Sequence, residues 1–319
     1  MSKIVVIGHA GMKLSIPPYE PPDPGNYSTI GPVGFVAGGS AVTTAITLER
    51  LGVATVFVGT LGEDVIGHRI REKLGAEGVD VSRLHLCDDH TSPTLVVQST
   101  SEGEPRFLYH PGSALEDRSY KDIERISCSV VHLAAPELLH GLWPNGILDM
   151  VRRLKTARRT VSLDTCVAAH GCHDHAKVVK EHRYLLELVD IVFTTAEDAR
   201  LISGRVERES MVNYFHHRNV KVVVIKFNPE QALVSWQGGL QEASVANPEI
   251  VDTFGASESC TAGYLAGYLR SLDPLHCTRL GLTISGLCTR HKGDLTGTAN
   301  RQLVEKVMEG VIAEATPAT

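Results

Sequence analysis

One short run of the sequence, residues 252–258, has the residue types and spacing of a phosphoryl-transfer site. It reads Asp-Thr-Phe-Gly-Ala-Ser-Glu and leads into a helix-forming segment of small residues. The first N–H groups of a helix have no partner within the helix, and together they bind anions. Glu258 would lie beside them and could take a proton from a hydroxyl. The run therefore predicts a catalytic centre in which Gly255, Ala256 and Ser257 hold the transferred group and Glu258 is the base.

The same run has a simpler interpretation, in which the turn only begins a helix. Ser257 or Glu258 would then stabilise the helix N-terminus without doing chemistry. Other common nucleotide loops are absent from the sequence, since it contains neither Gly-x-x-x-x-Gly-Lys-Ser/Thr nor Gly-x-Gly-x-x-Gly after a strand. Both interpretations of the run stay open on these residues alone.

The composition indicates one large globular domain without a nucleic-acid or membrane partner. The chain has 319 residues, of which 43% are hydrophobic and 21% charged, and no linker divides residues 1–319. The net charge of −6 argues against nucleic acid, and no apolar run is long enough to span a bilayer. The chain starts in a strand-like segment without a signal pattern, and its seven scattered cysteines are typical of reduced thiols. We therefore expect a cytoplasmic protein.

Apolar runs rich in β-branched residues alternate along the chain with amphipathic segments. The predicted buried strands are 3–7, 54–58, 129–133, 160–163, 189–193 and 221–225. The predicted helices are 40–51, 64–76, 145–156, 174–187, 196–203, 257–271, 275–289 and 299–312. Such alternation predicts an α/β fold with a parallel sheet covered on both faces, whose ligands bind beyond the carboxyl ends of the strands.

A second motif block lies in the N-terminal half of the chain. Gly-Gly at 38–39 begins a helical run that ends in Arg-Leu-Gly at 50–52, and after a strand the sequence at 61–67 reads Leu-Gly-Glu-Asp-Val-Ile-Gly. Together with the 252–258 run, this block resembles the ribokinase-like (PfkB-type) carbohydrate kinases. The patterns of that family are Gly-Gly, a helix, Arg-Leu-Gly, a strand and Gly-x-x-Gly-x-Asp-x-x-Gly, followed much later by Asp-Thr-x-Gly-Ala-Gly-Asp. The resemblance covers nearly the whole chain.

The resemblance implies ATP-dependent phosphorylation of a hydroxyl on a sugar or sugar-like small molecule, with ATP and Mg²⁺ as cofactors. It also implies a three-layer α/β sandwich with a mainly parallel central sheet and a small β-sheet lid. Segments at about 12–35 and 91–110 are expected to form this lid, inserted in the α/β core, and such lids commonly make a homodimer. The last Asp of the family motif, its catalytic base, corresponds to Glu258, and the second Gly corresponds to Ser257.

The predicted acceptor site departs from the family at its charged position. Lys13 falls where the family has an Asp that binds sugar hydroxyls, and an ammonium group only donates hydrogen bonds. This exchange favours a sugar acid, a sugar phosphate or a nucleoside-like acceptor. The resemblance places Gly38, Gly39 and Asp252 at the same site, together with Thr43 in the position of a family Asn.

The predicted nucleotide and metal positions are also altered. The Asn-x-x-Glu of the family, which organises Mg²⁺ through water, reads Thr-Ala-Glu-Asp at 195–198, so Glu197 and Asp198 are the candidate indirect metal residues. A lysine replaces a family Thr at the end of the 221–225 strand, where its ammonium would meet phosphate. The predicted nucleotide-binding residues are Thr195, Lys226, Asn228 and Thr253.

Two functions follow from these observations. The first is an active small-molecule kinase, supported by the carboxylates that remain at Glu258 and Asp198. The second is a weakened or inactive pseudokinase that binds a ligand or partner, supported by the number of binding positions that have changed. A third possibility, an unrelated nucleotide-binding α/β protein, would require both motif blocks to be coincidental. Turnover that is lost in Glu258→Gln would separate the first two.

Overall fold

The computed structural model of the chain describes residues 3–20, 22–99, 106–115, 120–168, 175–246, 249–292 and 301–315. Its strands are β1 (Lys3–Gly8), β2 (Gly11–Ile16), β3 (Gly34–Gly38), β4 (Ala54–Gly62), β5 (Asp80–Cys87), β6 (Thr94–Gln98), β7 (Arg106–His110), β8 (Val130–Ala134), β9 (Thr160–Asp164), β10 (Ile191–Thr195), β11 (Val222–Asn228), β12 (Gln231–Trp236) and β13 (Gly239–Ser244). Its α-helices are α1 (Ser40–Arg50), α2 (Val65–Ala76), α3 (Asn145–Thr156), α4 (His175–Leu186), α5 (Ala196–Ser203), α6 (Arg208–His216), α7 (Ala256–Tyr268), α8 (Pro274–Thr289) and α9 (Arg301–Ala315).

Nine strands form the large sheet in the order β13-β12-β11-β10-β9-β8-β1-β4-β5. The strands from β11 to β5 run parallel, whereas β12 and β13 add an antiparallel edge. The central strands are buried and mainly apolar, and in β1 every side chain of Ile4–Ile7 is fully buried. Such runs occur because helices cover both faces of a parallel sheet.

The helices divide into two layers, one on each face of the large sheet. Helices α1, α2, α7 and α8 pack in one hydrophobic cluster, which includes Ile46, Leu74, Tyr264 and Leu280. Helices α3, α4, α5 and α6 contribute to a second cluster on the opposite face. The resulting three layers match the architecture that the sequence predicts. Among the described residues, no helix combines the length and apolar character needed to cross a membrane.

A separate four-stranded sheet has the order β3-β2-β6-β7 and comes from the two segments predicted to form a lid. Strand β2 pairs with β6 in parallel, and the outer strands β3 and β7 are antiparallel to their neighbours. Only the two ends of the 12–35 segment are strands; the described residues between Pro17 and Val33 have no regular structure apart from a turn. We call this assembly of β2, β3, β6 and β7 the small sheet.

Of the strands and α-helices given above, β5, α6, β12 and β13 are not among the sequence predictions. Strand β5 is at the edge of the large sheet, and several of its polar side chains are exposed, so it lacks the continuous apolar run of the central strands. Only Met211, Val212 and Phe215 of helix α6 are buried, so its apolar pattern is short. Strands β12 and β13 form a tight hairpin, for which the signal is the pair of glycines at 238–239.

Candidate active site

Neighbouring strands of the large sheet end side by side at the edge that faces the first turn of α7. In the sheet register, Ala134 of β8 pairs with Asp164 of β9, and Thr195 of β10 pairs with Lys226 of β11. Because parallel strands end at a common edge, residues far apart in the sequence meet there. This convergence builds the candidate site.

The turn before α7 adopts a conformation that favours glycine. Gly255 is the N-cap residue of α7 and has a φ of 80° and a ψ of −4°, in the left-handed region. The Ala256 N–H donates to the Thr253 carbonyl at 3.2 Å, whereas the backbone contacts of the described residues include no acceptor for the N–H of Gly255 or Ser257. The sequence predicts three amides for an anion, and the structure leaves two of them available.

Glu258 lies in the first turn of α7 and faces the beginning of α1. Its Oε1 atom accepts a hydrogen bond of 3.3 Å from Ser40 Oγ. Gly39 brings α1 to this position, since a Cβ at Gly39 would lie 2.5 Å from the carbonyl oxygen of His9. The two sequence motifs therefore meet in space through the N-termini of α1 and α7.

A cavity of about 510 Å³ lies between the small sheet and these two helix N-termini. We call it the lid cavity. Of the predicted acceptor residues, Lys13, Gly38, Gly39 and Thr43 line it, together with Gly255 and Glu258. Asp252 does not line this cavity or the two described below; its Oδ1 accepts a hydrogen bond from Phe254 N–H. The carboxylate of Asp252 thus helps to shape the turn, and its role in binding the acceptor stays a prediction.

A second cavity of about 550 Å³ lies on the other side of the α7 turn, beyond β10 and β11. We call it the sheet-edge cavity. All the predicted nucleotide residues line it, namely Thr195, Lys226, Asn228 and Thr253. Glu197, Ala256 and Ser257 line it as well. Its position beyond the carboxyl ends of the strands is the one that such sheets use for ligands.

A third cavity, of about 230 Å³, connects the neighbourhoods of the other two. Ser257 lines both this bridging cavity and the sheet-edge cavity, while Glu258 lines both the bridging cavity and the lid cavity. The turn at 255–258 thus stands between two spaces large enough for small ligands. A group held in one cavity could be passed to a molecule in the other at this turn.

Lys226 has a partner that the sequence analysis does not predict. Its Nζ donates to Asp164 Oδ1 and Oδ2, both at 2.9 Å, and also to Thr261 Oγ1 at 3.2 Å. The same ammonium lies 3.5 Å from the carbonyl oxygen of Ser257. Burial disfavours the charge on Lys226, but Asp164 reverses this effect and the pKa of the lysine is raised overall. The ammonium therefore stays charged at the wall of the sheet-edge cavity, where its observed hydrogen bonds go to protein groups, and its contact with phosphate stays a prediction.

Asp198 is also engaged within the protein. It accepts hydrogen bonds from Thr165 Oγ1 at 2.9 Å, Ala168 N–H at 2.7 Å and Val167 N–H at 3.2 Å. Burial raises its pKa, although these hydrogen bonds oppose the rise. Its observed contacts hold the segment after β9, and Thr195 Oγ1 in turn caps α5 by accepting from Asp198 N–H at 3.1 Å.

Carboxylates surround the bridging cavity in a way that suits Mg²⁺ held through water. Asp164, Glu197, Asp198 and Glu258 all line it, and carboxylate oxygens and water are the ligands that this ion prefers. Within the described part of the chain, no cluster of three or more His, Cys, Asp or Glu side chains could hold a metal directly. The residues present therefore fit an ion bound mainly by water and phosphate.

Two buried acids near this cavity, Asp164 and Glu137, are not among the predicted site residues. Asp164 directly follows the predicted strand at 160–163, and a carboxylate at the end of a parallel strand is a pattern that could have indicated a site residue. Glu137 gives no such signal. Burial raises the pKa of Glu137 to about 8, and the nearby charges of Asp198 and Asp164 add to the rise. Its Oε1 accepts a hydrogen bond from Cys166 N–H.

The fold and these cavities define the chain as an α/β phosphotransferase of the carbohydrate-kinase type. A sequence model of the family described as "pfkB family carbohydrate kinase" matches residues 1–301, and the chain belongs to this family. This result confirms the resemblance seen in the two motif blocks.

The chain is similar to individual kinases over most of its own length and of theirs. The chain is 26% identical over 273 residues to a 2-dehydro-3-deoxygluconokinase of Bacillus subtilis. This alignment covers 83% of the chain and 84% of the relative. It is 23% identical to a nucleoside kinase of Methanothermobacter thermautotrophicus, in an alignment that covers 92% of the chain and 91% of the relative. A structure of Arabidopsis thaliana ribokinase with ribose and ATP superposes with a TM-score of 0.82 at 22% identity and covers 97% of this chain and 99% of the ribokinase chain. The structural likeness confirms the predicted fold.

Proposed function

We propose that the protein transfers the γ-phosphoryl group of ATP to a hydroxyl of a sugar-like small molecule. The observation that carries this proposal is the position of Ser257 and Glu258 between the lid cavity and the sheet-edge cavity. A kinase needs two ligand sites that meet at an anion-binding turn with a base beside it. The kinase names of the relatives favour this function over the pseudokinase alternative.

Each cavity then has a defined ligand. ATP would occupy the sheet-edge cavity near Thr195, Asn228 and Thr253, and the acceptor would occupy the lid cavity. The N–H groups of Gly255 and Ser257 would hold the transferred phosphoryl group, and Glu258 would accept the proton of the acceptor hydroxyl. When bound, Mg²⁺ would neutralise phosphate charge, with Glu197 and Asp198 as water-mediated partners. The cytoplasm supplies both ATP and Mg²⁺, and we propose that the enzyme acts there.

Release of ADP from MgATP tests this function directly. The purified protein would be assayed with a panel of sugars, sugar acids, sugar phosphates and nucleosides, and binding of ATP would be measured separately. We expect ADP release that depends on at least one acceptor. Binding of ATP without acceptor-dependent ADP release across the panel would favour the pseudokinase instead.

We also propose that two copies of the chain associate through the small sheet. Phe35, Leu14, Val96 and Leu108 lie in one register row across all four strands. Side chains of a strand alternate between its faces, so this row lies opposite the row that contains Lys13. Phe35 is 69% exposed and Leu108 66%, which leaves an apolar stripe that a second copy would cover.

Sedimentation equilibrium of Phe35→Glu tests the association. The control is Val206→Glu, which adds the same charge at an exposed apolar residue outside the small sheet. We expect a dimer for the wild type and the control, and a monomer for Phe35→Glu. A monomeric wild type, or a dimer that Phe35→Glu leaves intact, would contradict the proposal.

A further inference from the structure

The N-terminus of α1 places a hydroxyl beside the carboxylate that would act as the base. Ser40 is the first residue of α1, and its Oγ lies 3.3 Å from Glu258 Oε1. Both residues line the lid cavity and the bridging cavity, so the pair borders both spaces. A hydroxyl can donate a hydrogen bond, whereas an ionised carboxylate only accepts. Ser40 is therefore the donor and Glu258 the acceptor of this contact.

The backbone around Ser40 fixes the position of its hydroxyl. The preceding residue, Gly39, has a φ of 104°, in the region that favours glycine. The two residues that follow, Ala41 and Val42, are fully buried in the hydrophobic cluster that α1 shares with α7. Because such clusters are closely packed, the separation of Ser40 from Glu258 is set by two packed helices and not by a loop.

A glutamate base needs more positioning than the aspartate of the family motif. Its side chain has one more rotatable bond, so its carboxylate can occupy more positions beside the 255–258 turn. Catalytic geometry is sensitive to displacements of about 1 Å. In Glu258→Asp the carboxylate would be withdrawn by up to about 1.5 Å, the length of one C–C bond. The contact of 3.3 Å with Ser40 would then exceed hydrogen-bond range, so the contact depends on the longer side chain.

The electrostatic surroundings of Glu258 would remain the same if the Ser40 hydroxyl were removed. The carboxylate lies in the first turn of α7 and faces the first residue of α1, and the N-terminus of a helix favours negative charge. Acidic and basic groups of other elements also lie at these cavities, namely Lys13 of β2, Asp164 of β9, Glu197 and Asp198 of α5, and Lys226 of β11. Because Ser40→Ala retains all of them, a change in the titration of Glu258 would report the hydroxyl.

We propose that Ser40 is a positioning residue, which holds the ionised carboxylate of Glu258 toward the hydroxyl of the acceptor. The inference rests on the proposed kinase function. Ser40 keeps its own proton throughout, and the proton of the acceptor goes to Glu258. A carboxylate can accept several hydrogen bonds, so the bond from Ser40 is compatible with one from the acceptor. The pair thereby compensates for the longer side chain that replaces the family aspartate.

Titration of Glu258 tests the contact without turnover. The side-chain carboxyl carbons would be followed by NMR in protein labelled with ¹³C-glutamate, and the Glu258 signal would be assigned by its absence from Glu258→Gln. A hydrogen bond to the ionised form lowers the pKa of a carboxyl group, so Ser40→Ala should raise the pKa of Glu258. The same pKa in the wild type and in Ser40→Ala would overturn the inference.

The matched control for this substitution is Ser210→Ala. Ser210 is exposed, lies in the first turn of α6 and does not line any of the three cavities. It should leave the titration of Glu258 and the rate of ADP release unchanged. Alanine is a better helix former than serine, so both variants are expected to keep their helices.

Acceptor-dependent ADP release tests the positioning role. With saturating MgATP and acceptor, we expect Ser40→Ala to lower kcat by about 5- to 50-fold, the range of one hydrogen bond to a charged group. The KM for ATP should stay within about twofold, because Ser40 does not line the sheet-edge cavity. The acid limb of the pH profile of kcat should move to higher pH, since the base would ionise at higher pH.

A double-mutant cycle separates positioning from a general effect on the site. In the Glu258→Asp background the contact is already broken, so Ser40→Ala should change kcat by less than about twofold. Losses of equal size in the two backgrounds would overturn the inference. A lower free energy of unfolding in Ser40→Ala with an unchanged kcat would overturn it as well, because the contact would then only join α1 to α7.

The wild type distinguishes this inference from the kinase function. A wild type without acceptor-dependent ADP release across the panel would contradict the kinase function and the positioning role with it. A wild type that turns over, with the same kcat and the same pH profile in Ser40→Ala, would overturn the positioning role alone.

Discussion

Replacement of Lys226 by methionine tests whether its ion pair with Asp164 organises the site. Methionine has a similar length and no charge, so the substitution removes the ammonium with little change in volume. Lys226 and Asp164 are 6% and 7% exposed, and both N–O distances are 2.9 Å. Thr261 Oγ1 donates to Asp164 Oδ2 at 2.6 Å and would remain the partner of that carboxylate.

The size of the effect follows from charge and burial. At an effective dielectric constant of about 20, unit charges roughly 3 Å apart attract by about 5 kcal/mol. Removal of one partner of a buried pair usually costs about 3–5 kcal/mol, because the other charge stays buried. We therefore expect Lys226→Met to lower the free energy of unfolding by about 3–5 kcal/mol. The double variant Lys226→Met/Asp164→Asn should recover at least about 2 kcal/mol of the sum of the single losses.

Urea unfolding at pH 7, followed by circular dichroism, measures these differences. The control is Arg152→Met, which breaks an ion pair with Asp149 whose side chains are 59% and 66% exposed. The control should lose less than about 1 kcal/mol. Additive losses in the double variant, or a loss in Lys226→Met no greater than in the control, would refute the reasoning. A raised KM for ATP without loss of stability would instead support direct phosphate contact by Lys226.

Two further substitutions give distinct predictions. Because the folded state keeps the Glu137 proton up to about pH 8 while the unfolded chain releases it near 4.5, the free energy of unfolding should fall between these pH values by roughly 3–5 kcal/mol. Glu137→Gln does not titrate, so its urea unfolding should lack this fall; parallel pH profiles would contradict the assignment. Gly255→Ala places a Cβ at a φ of 80°, and should lower the free energy of unfolding by about 1–2 kcal/mol and reduce ADP release further. Unchanged values on both measures would show that the turn does not depend on glycine.

The regular parts of the fold were predictable because local sequence determines them. The period of the apolar residues predicts α3 at 145–156 and α5 at 196–203 with the bounds seen in the structure. The edge strand β13 was not predicted, because a short, mostly exposed strand lacks the apolar run of buried ones.

The candidate site was predictable where one motif places adjacent residues together, as at 255–258. Contacts between distant segments were not, because they depend on the order of the strands. Asp164 lies 62 residues before Lys226, and the two meet because β9 and β11 both flank β10. The role of Lys226 therefore required the sheet topology, which a local pattern does not contain.

The base role of Glu258 is the central claim, and acceptor-dependent ADP release in Glu258→Gln tests it most directly. Gln has nearly the same shape but cannot take a proton, and Glu258→Asp restores the acid of the family motif as the matched control. With saturating MgATP and an acceptor used by the wild type, we predict that Glu258→Gln loses about 100- to 10,000-fold in rate. Its affinity for ATP should stay within about threefold of the wild type, since Glu258 does not line the sheet-edge cavity. A Glu258→Gln variant that turns over at the wild-type rate would contradict the account.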